Sequence, residues 1–199
     1  MRILLDEAQL LAGVQRLAKE IDSHYRGRPL TVVAVMTGSV VLFADLIRML
    51  SMPLRVGVIQ ASSYRGATQP GELAVDTKML LDVENRDVLL VDDIFDTGRT
   101  LDRLMKIVQQ RGAHSVRSAL LLRKQRTHDV PVRPDFVAFE IPDEFVVGYG
   151  LDYRDMYRNL PYLAILDEDE IASTSETAAA ATPTLPARVP SKSAPSGNG

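Results

Sequence analysis

Short runs of β-branched and aliphatic residues constrain this chain more than any other feature. Leu30–Met36 (LTVVAVM) is apolar at nearly every position, and Val88–Val91 (VLLV) is wholly so. A strand with one wet face alternates apolar and polar residues, so an unbroken apolar run implies a strand covered on both faces. Segments with helical spacing lie between such runs. Asp6–Ser23 puts Leu10, Val14, Leu17, Ala18 and Ile21 on one face, and Gly27-Arg28-Pro29 ends it. A second helix is expected from Thr37-Gly38-Ser39 to about Leu50, and a third over Thr100–Arg111 with Gly112 at its cap. Leu54–Ala61, Ser115–Leu122 and Asp135–Ile141 read as further strands. Residues 62–76 (SSYRGATQPGELAVD) show no period and read as a long loop, of the kind that is often functional. Strands alternating with helices predict an α/β fold with a parallel sheet. Ligands bind such sheets beyond the carboxyl ends of the strands. The loops at Thr37–Ser39, Asp92–Arg99 and Arg123–Val130 are therefore expected on one rim.

Composition narrows the partners. The chain has 199 residues, enough for one domain with a substantial core. Its net charge of −3 lacks the basic excess of a general nucleic-acid binder, so phosphate recognition should be local. No apolar run approaches the roughly 20 residues that span a bilayer, and MRILLDEAQLL does not have the layout of a signal peptide. Cysteine is absent, which removes disulfides, thiolate nucleophiles and Cys-ligated metals. A cytoplasmic protein with no membrane or nucleic-acid partner is expected. From Ala172 the composition shifts to Ala, Ser, Thr, Pro and Gly, which cannot repay their ordering entropy. The expected division is a folded domain over 1–170 and a disordered tail over 171–199.

The stretch Val88–Thr100 (VLLVDDIFDTGRT) carries the chemistry. A buried strand delivers Asp92 and Asp93 at its end, and the loop Asp96-Thr97-Gly98-Arg99-Thr100 then opens a helix. Helix N-termini and turns present backbone N–H groups that accept a phosphate. Gly98 removes a Cβ where backbone must approach a ligand, and Thr97 and Thr100 add hydroxyl donors. Two carboxylates beside such a cradle can accept hydrogen bonds from sugar hydroxyls or hold a hydrated Mg²⁺. Asp96, inside the loop, can face a reacting base. This is the combination a ribose 5-phosphate needs. Each piece alone also fits a plainer role: the acids as a helix cap, Thr97-Gly98 as a turn.

The stretch resembles the signature of type I phosphoribosyltransferases. The rest of the chain resembles one branch, the hypoxanthine-guanine phosphoribosyltransferases. That likeness rests on Gly38-Ser39 with Phe43-Ala44-Asp45-Leu46, on Ser62-Ser63-Tyr64, on Lys124, and on the segment from Pro134 to Tyr153 with Tyr157-Arg158 and Pro161. It covers about residues 5–168. The resemblance implies a central parallel sheet flanked by helices, with a small hood formed by terminal segments. It also implies Mg²⁺-dependent transfer of the 5-phosphoribosyl group from phosphoribosyl pyrophosphate to a 6-oxopurine, and a homodimer or homotetramer for which the helix Ser39–Leu50 is a candidate contact.

By that resemblance Asp92 and Asp93 bind the ribose diol, and Asp96, Thr97, Gly98, Arg99 and Thr100 hold the 5-phosphate. Asp96 lies near N7 of the purine as the general base, a role typically worth about 10²–10⁴-fold. Thr37 and Gly38 match the pyrophosphate loop, and Arg158 an arginine that grips pyrophosphate. Lys124 matches the donor to the 6-oxygen; an ammonium has three donors and no acceptor, so it prefers a 6-oxo to a 6-amino purine. Phe145 and Val146 match the pair that packs on the base. Asp152 matches a base-reading position and, with Asp92 and Asp93, a Mg²⁺ site. Ser63 and Tyr64 match a mobile lid, which would shield a developing oxocarbenium ion from water. Two departures stand out: Asp92 where Glu is commoner, and Thr37 where many relatives carry a basic residue. Read by itself, Lys124 in the run Arg123-Lys124-Gln125-Arg126 also fits a solvated surface charge. His24, His114 and His128 stand at no catalytic or metal spacing. Two alternatives stay open: a xanthine-preferring enzyme of the same fold, and a non-catalytic phosphoribosyl-binding regulator.

Overall fold

The N-terminal helix begins where the sequence supplies a cap. The computed structural model describes residues 1–63, 73–76, 81–127, 130–167 and 170. After strand β1 (Arg2–Leu5), helix α1 (Glu7–Tyr25) opens on a capping box. The Asp6 carboxylate accepts the Gln9 N–H at 2.8 Å, and the Gln9 side chain accepts the Asp6 N–H at 2.9 Å. The helix ends at Arg26, whose φ of 48° and N–H bond to the Asp22 carbonyl form a left-handed cap. Its buried face is Leu10, Val14, Leu17, Ala18 and Ile21, as the spacing predicts, together with Gly13 and Tyr25.

The remaining elements are β2 (Leu30–Met36), α2 (Val40–Ile47), β3 (Leu54–Ser63), β4 (Leu73–Asp76), β5 (Asp87–Phe95), α3 (Arg99–Gln110), β6 (Ser115–Lys124), β7 (Phe136–Ile141), β8 (Val146–Val147) and β9 (Leu163–Ile165). The main sheet has the order β4-β3-β2-β5-β6-β7. Neighbours from β3 to β7 pair in parallel, and β4 is an antiparallel edge. Alternate residues of the central strands feed two cores. Val32, Leu89, Val91, Ala119 and Leu121 pack with α1 and α2; Val33, Val35, Val88, Leu90 and Leu120 pack with α3. That double burial accounts for the unbroken apolar runs. β1, β9 and β8 form a separate antiparallel sheet, the expected hood.

The strand order reverses between β2 and β5. The chain leaves β2 through α2 to β3 on one side of it, and β5 lies on the other. Ala34 stands opposite Val91, so the segments just beyond, Thr37–Gly38 and Asp93–Phe95, emerge side by side. A crevice forms at such a switch point.

Several boundaries differ from the sequence reading. The loop expected over 62–76 is trimmed at both ends: residues 62 and 63 continue β3, and Leu73–Asp76 pairs back on Gln60–Ser63. Four residues hold too little periodicity to be read locally, and only the neighbouring strand makes them one. β1, β8 and β9, at four, two and three residues, are likewise too short to be read locally. β5 runs through Asp92 and Asp93 to Phe95 rather than stopping before them, because pairing with β6 continues to Phe95–Arg123. Pairing with β7 likewise carries β6 to Lys124.

The compact unit holding all these elements is Met1–Leu166, and Asp167–Gly199 is a second unit. In the second, the Asp167 N–H donates to the Glu170 carboxylate at 3.0 Å. The tail expected over 171–199 lies outside the described residues.

One close approach in the core yields a stability prediction. A Cβ at Gly13 would overlap the Phe139 ring on β7, over which the Arg16 guanidinium also lies, 5.6 Å from its centroid. Alanine ordinarily gains about 1 kcal/mol over glycine inside a helix. Here overpacking, typically about 1–3 kcal/mol, should outweigh it. Gly13→Ala should lower the urea midpoint, and adding Phe139→Leu should recover most of the loss. A midpoint at or above the parent's would show that α1 and β7 have room to spare.

Candidate active site

β5 carries two adjacent acids just before its carboxyl end, where the strand reaches the crevice while Phe95 stays in the core. Asp92 is 6% exposed and Asp93 is partly open. The Asp92 carboxylate accepts the Asp93 N–H at 3.0 Å, and the Asp93 carboxylate accepts the Ile94 N–H at 2.7 Å. Burial pushes both carboxyls above the usual carboxylate range, and Asp92 well above it because the Asp93 charge adds repulsion. For Asp93 the hydrogen bonds and the Arg158 charge pull the other way. A site holding two such groups favours a ligand that brings donors or positive charge.

Gly98 caps α3 with φ +83°, a conformation that favours glycine. A Cβ there would also overlap Phe95 and Val130. Its neighbours in the protein thus demand glycine as firmly as an approaching ligand would. The first bond of α3 runs from the Asp102 N–H, which donates to the Gly98 carbonyl at 3.0 Å. The Thr97 hydroxyl lies 3.4 Å from the Arg99 N–H.

Gly38 answers a different demand, that of space. A Cβ would run into the Asp93 carboxylate. On its other side a Cβ at Gly150 would run into the Gly38 carbonyl, and Gly150 has φ +101°. The 148–158 segment therefore seats directly on the Thr37–Gly38 loop. The Met36–Thr37 peptide bond is cis. Three further interactions hold the segment. The Tyr149 hydroxyl donates to Asp45 on α2 at 2.6 Å, and burial with that bond pushes the phenol's pKa up. Arg158 donates to the Gly150 carbonyl at 2.8 Å and pairs with Asp152 at 2.7 Å.

These pieces line one cleft of about 880 Å³. Thr37, Gly38, Asp92, Asp93, Asp96, Thr97, Gly98, Arg99, Thr100, Phe145, Asp152 and Arg158 all border it. Phe145 is 42% exposed, and its ring meets the Tyr153 ring edge-on at 5.5 Å. Val146 is buried in β8 beside it. Lys124 is nearly buried and lies 3.8 Å from Asp96 and 3.2 Å from Asp143. Tyr64 lies outside the described residues, and Ser63 is described only as the end of β3. His24 and His114 are exposed, and His128 lies outside the described residues.

Sequence reasoning missed four residues here: Tyr153, Arg126, Asp143 and Tyr149. Arg126 is 3.0 Å from Asp96 and 3.5 Å from Asp143. A signal for it did exist. Lys124 and Arg126 are two apart at a strand end, and alternate residues there point the same way.

A strand bearing paired acids near its end, a glycine-opened helix beside it and a crevice at the sheet's switch point define a phosphoribosyl-binding domain. Residues 2–154 match the phosphoribosyl transferase domain family. A hypoxanthine-guanine phosphoribosyltransferase of Staphylococcus epidermidis is 39% identical over 82% of this chain and 92% of its own length. The bifunctional protein TilS/HprT of Listeria innocua is 39% identical over 83% of this chain, but the chain spans only 26% of that protein. Among solved structures, the Bacillus anthracis hypoxanthine-guanine phosphoribosyltransferase superposes with a TM-score of 0.79 at 34% identity, covering 84% of this chain and 99% of that one. The Trypanosoma cruzi hypoxanthine phosphoribosyltransferase, in complex with the product IMP, gives 0.78 at 35%, covering 85% and 95%. The chain belongs to the hypoxanthine-guanine phosphoribosyltransferase family.

Proposed function

We propose that this chain transfers the 5-phosphoribosyl group of phosphoribosyl pyrophosphate to hypoxanthine, and also to guanine, releasing pyrophosphate. The observation that carries the reading is the meeting of Asp92–Asp93, the α3 N-terminus, Asp96 and Phe145 around one cleft. The 5-phosphate takes the backbone donors and hydroxyls of Asp96–Thr100, where the helix dipole favours an anion. The ribose diol donates to Asp92 and Asp93. Thr37, Gly38 and Arg158 take the pyrophosphate, through backbone N–H groups and a guanidinium fork. With Thr at 37, no side-chain charge comes from that loop. The base packs against Phe145 and Val146, Lys124 donates to its 6-oxygen, and Asp96 takes the N7 proton as N9 bonds to the sugar carbon.

The residues fit Mg²⁺ in a particular way. Among the described residues no group of three or more His, Asp or Glu could hold a metal. Mg²⁺ ordinarily keeps several waters and takes one or two carboxylates with substrate oxygens, so two buried carboxyls beside a polyanion site suffice. Asp92 and Asp93 would hold such an ion with ribose oxygens and water, and Asp152, the partner of Arg158, would face an ion carried by the pyrophosphate. Bound there, the ion neutralises charge on the departing pyrophosphate.

An assembly of two or four copies belongs to the same reading. It is supported by α2, whose eight residues (VVLFADLI) include one charge and leave Val40 37% exposed. Among the described residues no helix is long and apolar enough to cross a membrane.

The test is a base-by-base assay. Purified protein with phosphoribosyl pyrophosphate and Mg²⁺ should convert hypoxanthine and guanine to nucleotides and leave adenine untouched. Chelation should stop the reaction, and excess Mg²⁺ should restore it. No turnover with hypoxanthine, guanine or xanthine overturns the proposal, and turnover of xanthine alone moves the specificity.

A further inference from the structure

Asp96 sits in a network that no part of the reaction just described requires. Arg126 Nη1 lies 3.0 Å from Asp96 Oδ1 and 3.5 Å from both carboxylate oxygens of Asp143. Lys124 Nζ lies 3.2 Å from Asp143 Oδ1 and 3.8 Å from Asp96 Oδ1. Two acids and two cations thus alternate across the ends of three adjacent strands. Asp96 follows β5, Lys124 ends β6 with Arg126 two residues on, and Asp143 stands two residues beyond β7. The turn carrying Arg126 is itself anchored. The Gln125 N–H donates to the Ile141 carbonyl at 2.8 Å, and the Arg126 N–H to the Lys124 carbonyl at 3.0 Å.

The distances divide the labour. At 3.8 Å Lys124 is too far from Asp96 to hold it by a hydrogen bond. Its near partner is Asp143, which leaves further ammonium donors for a ligand. Arg126 is at hydrogen-bond distance from Asp96. The Asp96 side chain is 43% exposed, so the cleft walls alone do not fix it.

We infer that Arg126 is a positioning residue acting through Asp96. Its guanidinium holds that carboxylate at the base subsite. By sharing Asp143 with Lys124 it also sets the spacing between the group that meets N7 and the group that meets the 6-oxygen. The inference rests on the proposed roles of Asp96 and Lys124. A base carboxylate must stand within about 3 Å of the atom whose proton it takes, and an error of 1 Å can cost about 10²-fold in rate.

The experiment measures kcat and KM for Arg126→Gln and Arg126→Lys, each in the parent and in an Asp96→Asn background. Hypoxanthine, phosphoribosyl pyrophosphate and saturating Mg²⁺ are the reactants. Arg126→Gln should lower kcat about tenfold, short of the full effect of a 1 Å misplacement, with KM for phosphoribosyl pyrophosphate unchanged. Arg126→Lys should recover most of that loss. In the Asp96→Asn background Arg126→Gln should cost nothing further, because the side chain it positions can no longer take the proton. A parent-like or raised kcat in Arg126→Gln, beside a crippled Asp96→Asn, overturns the inference and leaves the role of Asp96 standing. So does an equal loss in both backgrounds, which marks a general scaffold. A parent-like kcat in Asp96→Asn overturns the reading of Asp96, and the inference with it.

Discussion

Asp96→Asn is expected to lower kcat for hypoxanthine by about 10²–10⁴-fold, the usual worth of a general base, while the product nucleotide still binds. The substitution keeps the side chain's shape and one carbonyl oxygen. Arg126, 3.0 Å away, can therefore still donate to it. What disappears is the capacity to accept a proton at the position where N7 would stand. In the proposed reading the 5-phosphate and ribose subsites use Thr97–Thr100 and Asp92–Asp93, which the change does not alter. Steady-state turnover should collapse and calorimetric binding of IMP should stay within a few-fold. Turnover within threefold of the parent would remove Asp96 from the chemistry. A matching collapse in IMP binding would instead show that the residue builds the site rather than acts in it.

Gly38→Ala is expected to be as damaging to activity, for a reason that is purely spatial. The Cβ it adds would overlap the Asp93 carboxylate. That carboxylate cannot swing away freely, because it accepts the Ile94 N–H at 2.7 Å. Nor can the loop retreat, since the Gly38 carbonyl already lies against Gly150. Overpacking of this kind typically costs about 1–3 kcal/mol of stability. The larger effect should fall on rate: displacing Asp93 by about 1 Å would by itself bring about a 10²-fold loss. Turnover and a urea melt on the same preparation check both. Parent-like turnover would mean that the loop and the acid are not held as tightly as their contacts indicate.

Much of the fold was legible because its strands are covered on both faces. Leu30–Met36 was bounded to the residue, since glycine, proline and a polar loop flank a run with nowhere to go but the core. The buried face of α1 followed from spacing alone. The short elements were not legible. β4, β8 and β9 hold four, two and three residues. Their backbone bonds are made with segments up to about 160 residues away, as between β1 and β9, and no local pattern records such a partner.

The site divides in the same way. The order of acids, glycine and threonines at and beyond the end of β5 lies in one continuous stretch, so it could be read without any knowledge of neighbours. Lys124 was legible only through the family likeness and Arg126 only by its spacing from Lys124; the partners of both were not. A cation at a strand end has the same sequence appearance whether water or a carboxylate faces it. Only the parallel pairing of β5, β6 and β7 sets Asp96, Arg126, Lys124 and Asp143 within reach of one another.

By itself the sequence determined which segments are buried, which are helical, and that a glycine-opened helix follows a strand bearing two acids. These are local matters of periodicity, capping and backbone freedom. Tertiary structure alone decided that Gly38 must clear Asp93, that Gly150 must clear Gly38, and that the Asp96 carboxylate is held by Arg126. Those facts depend on strand order and register, which long-range packing sets and no single stretch of chain contains.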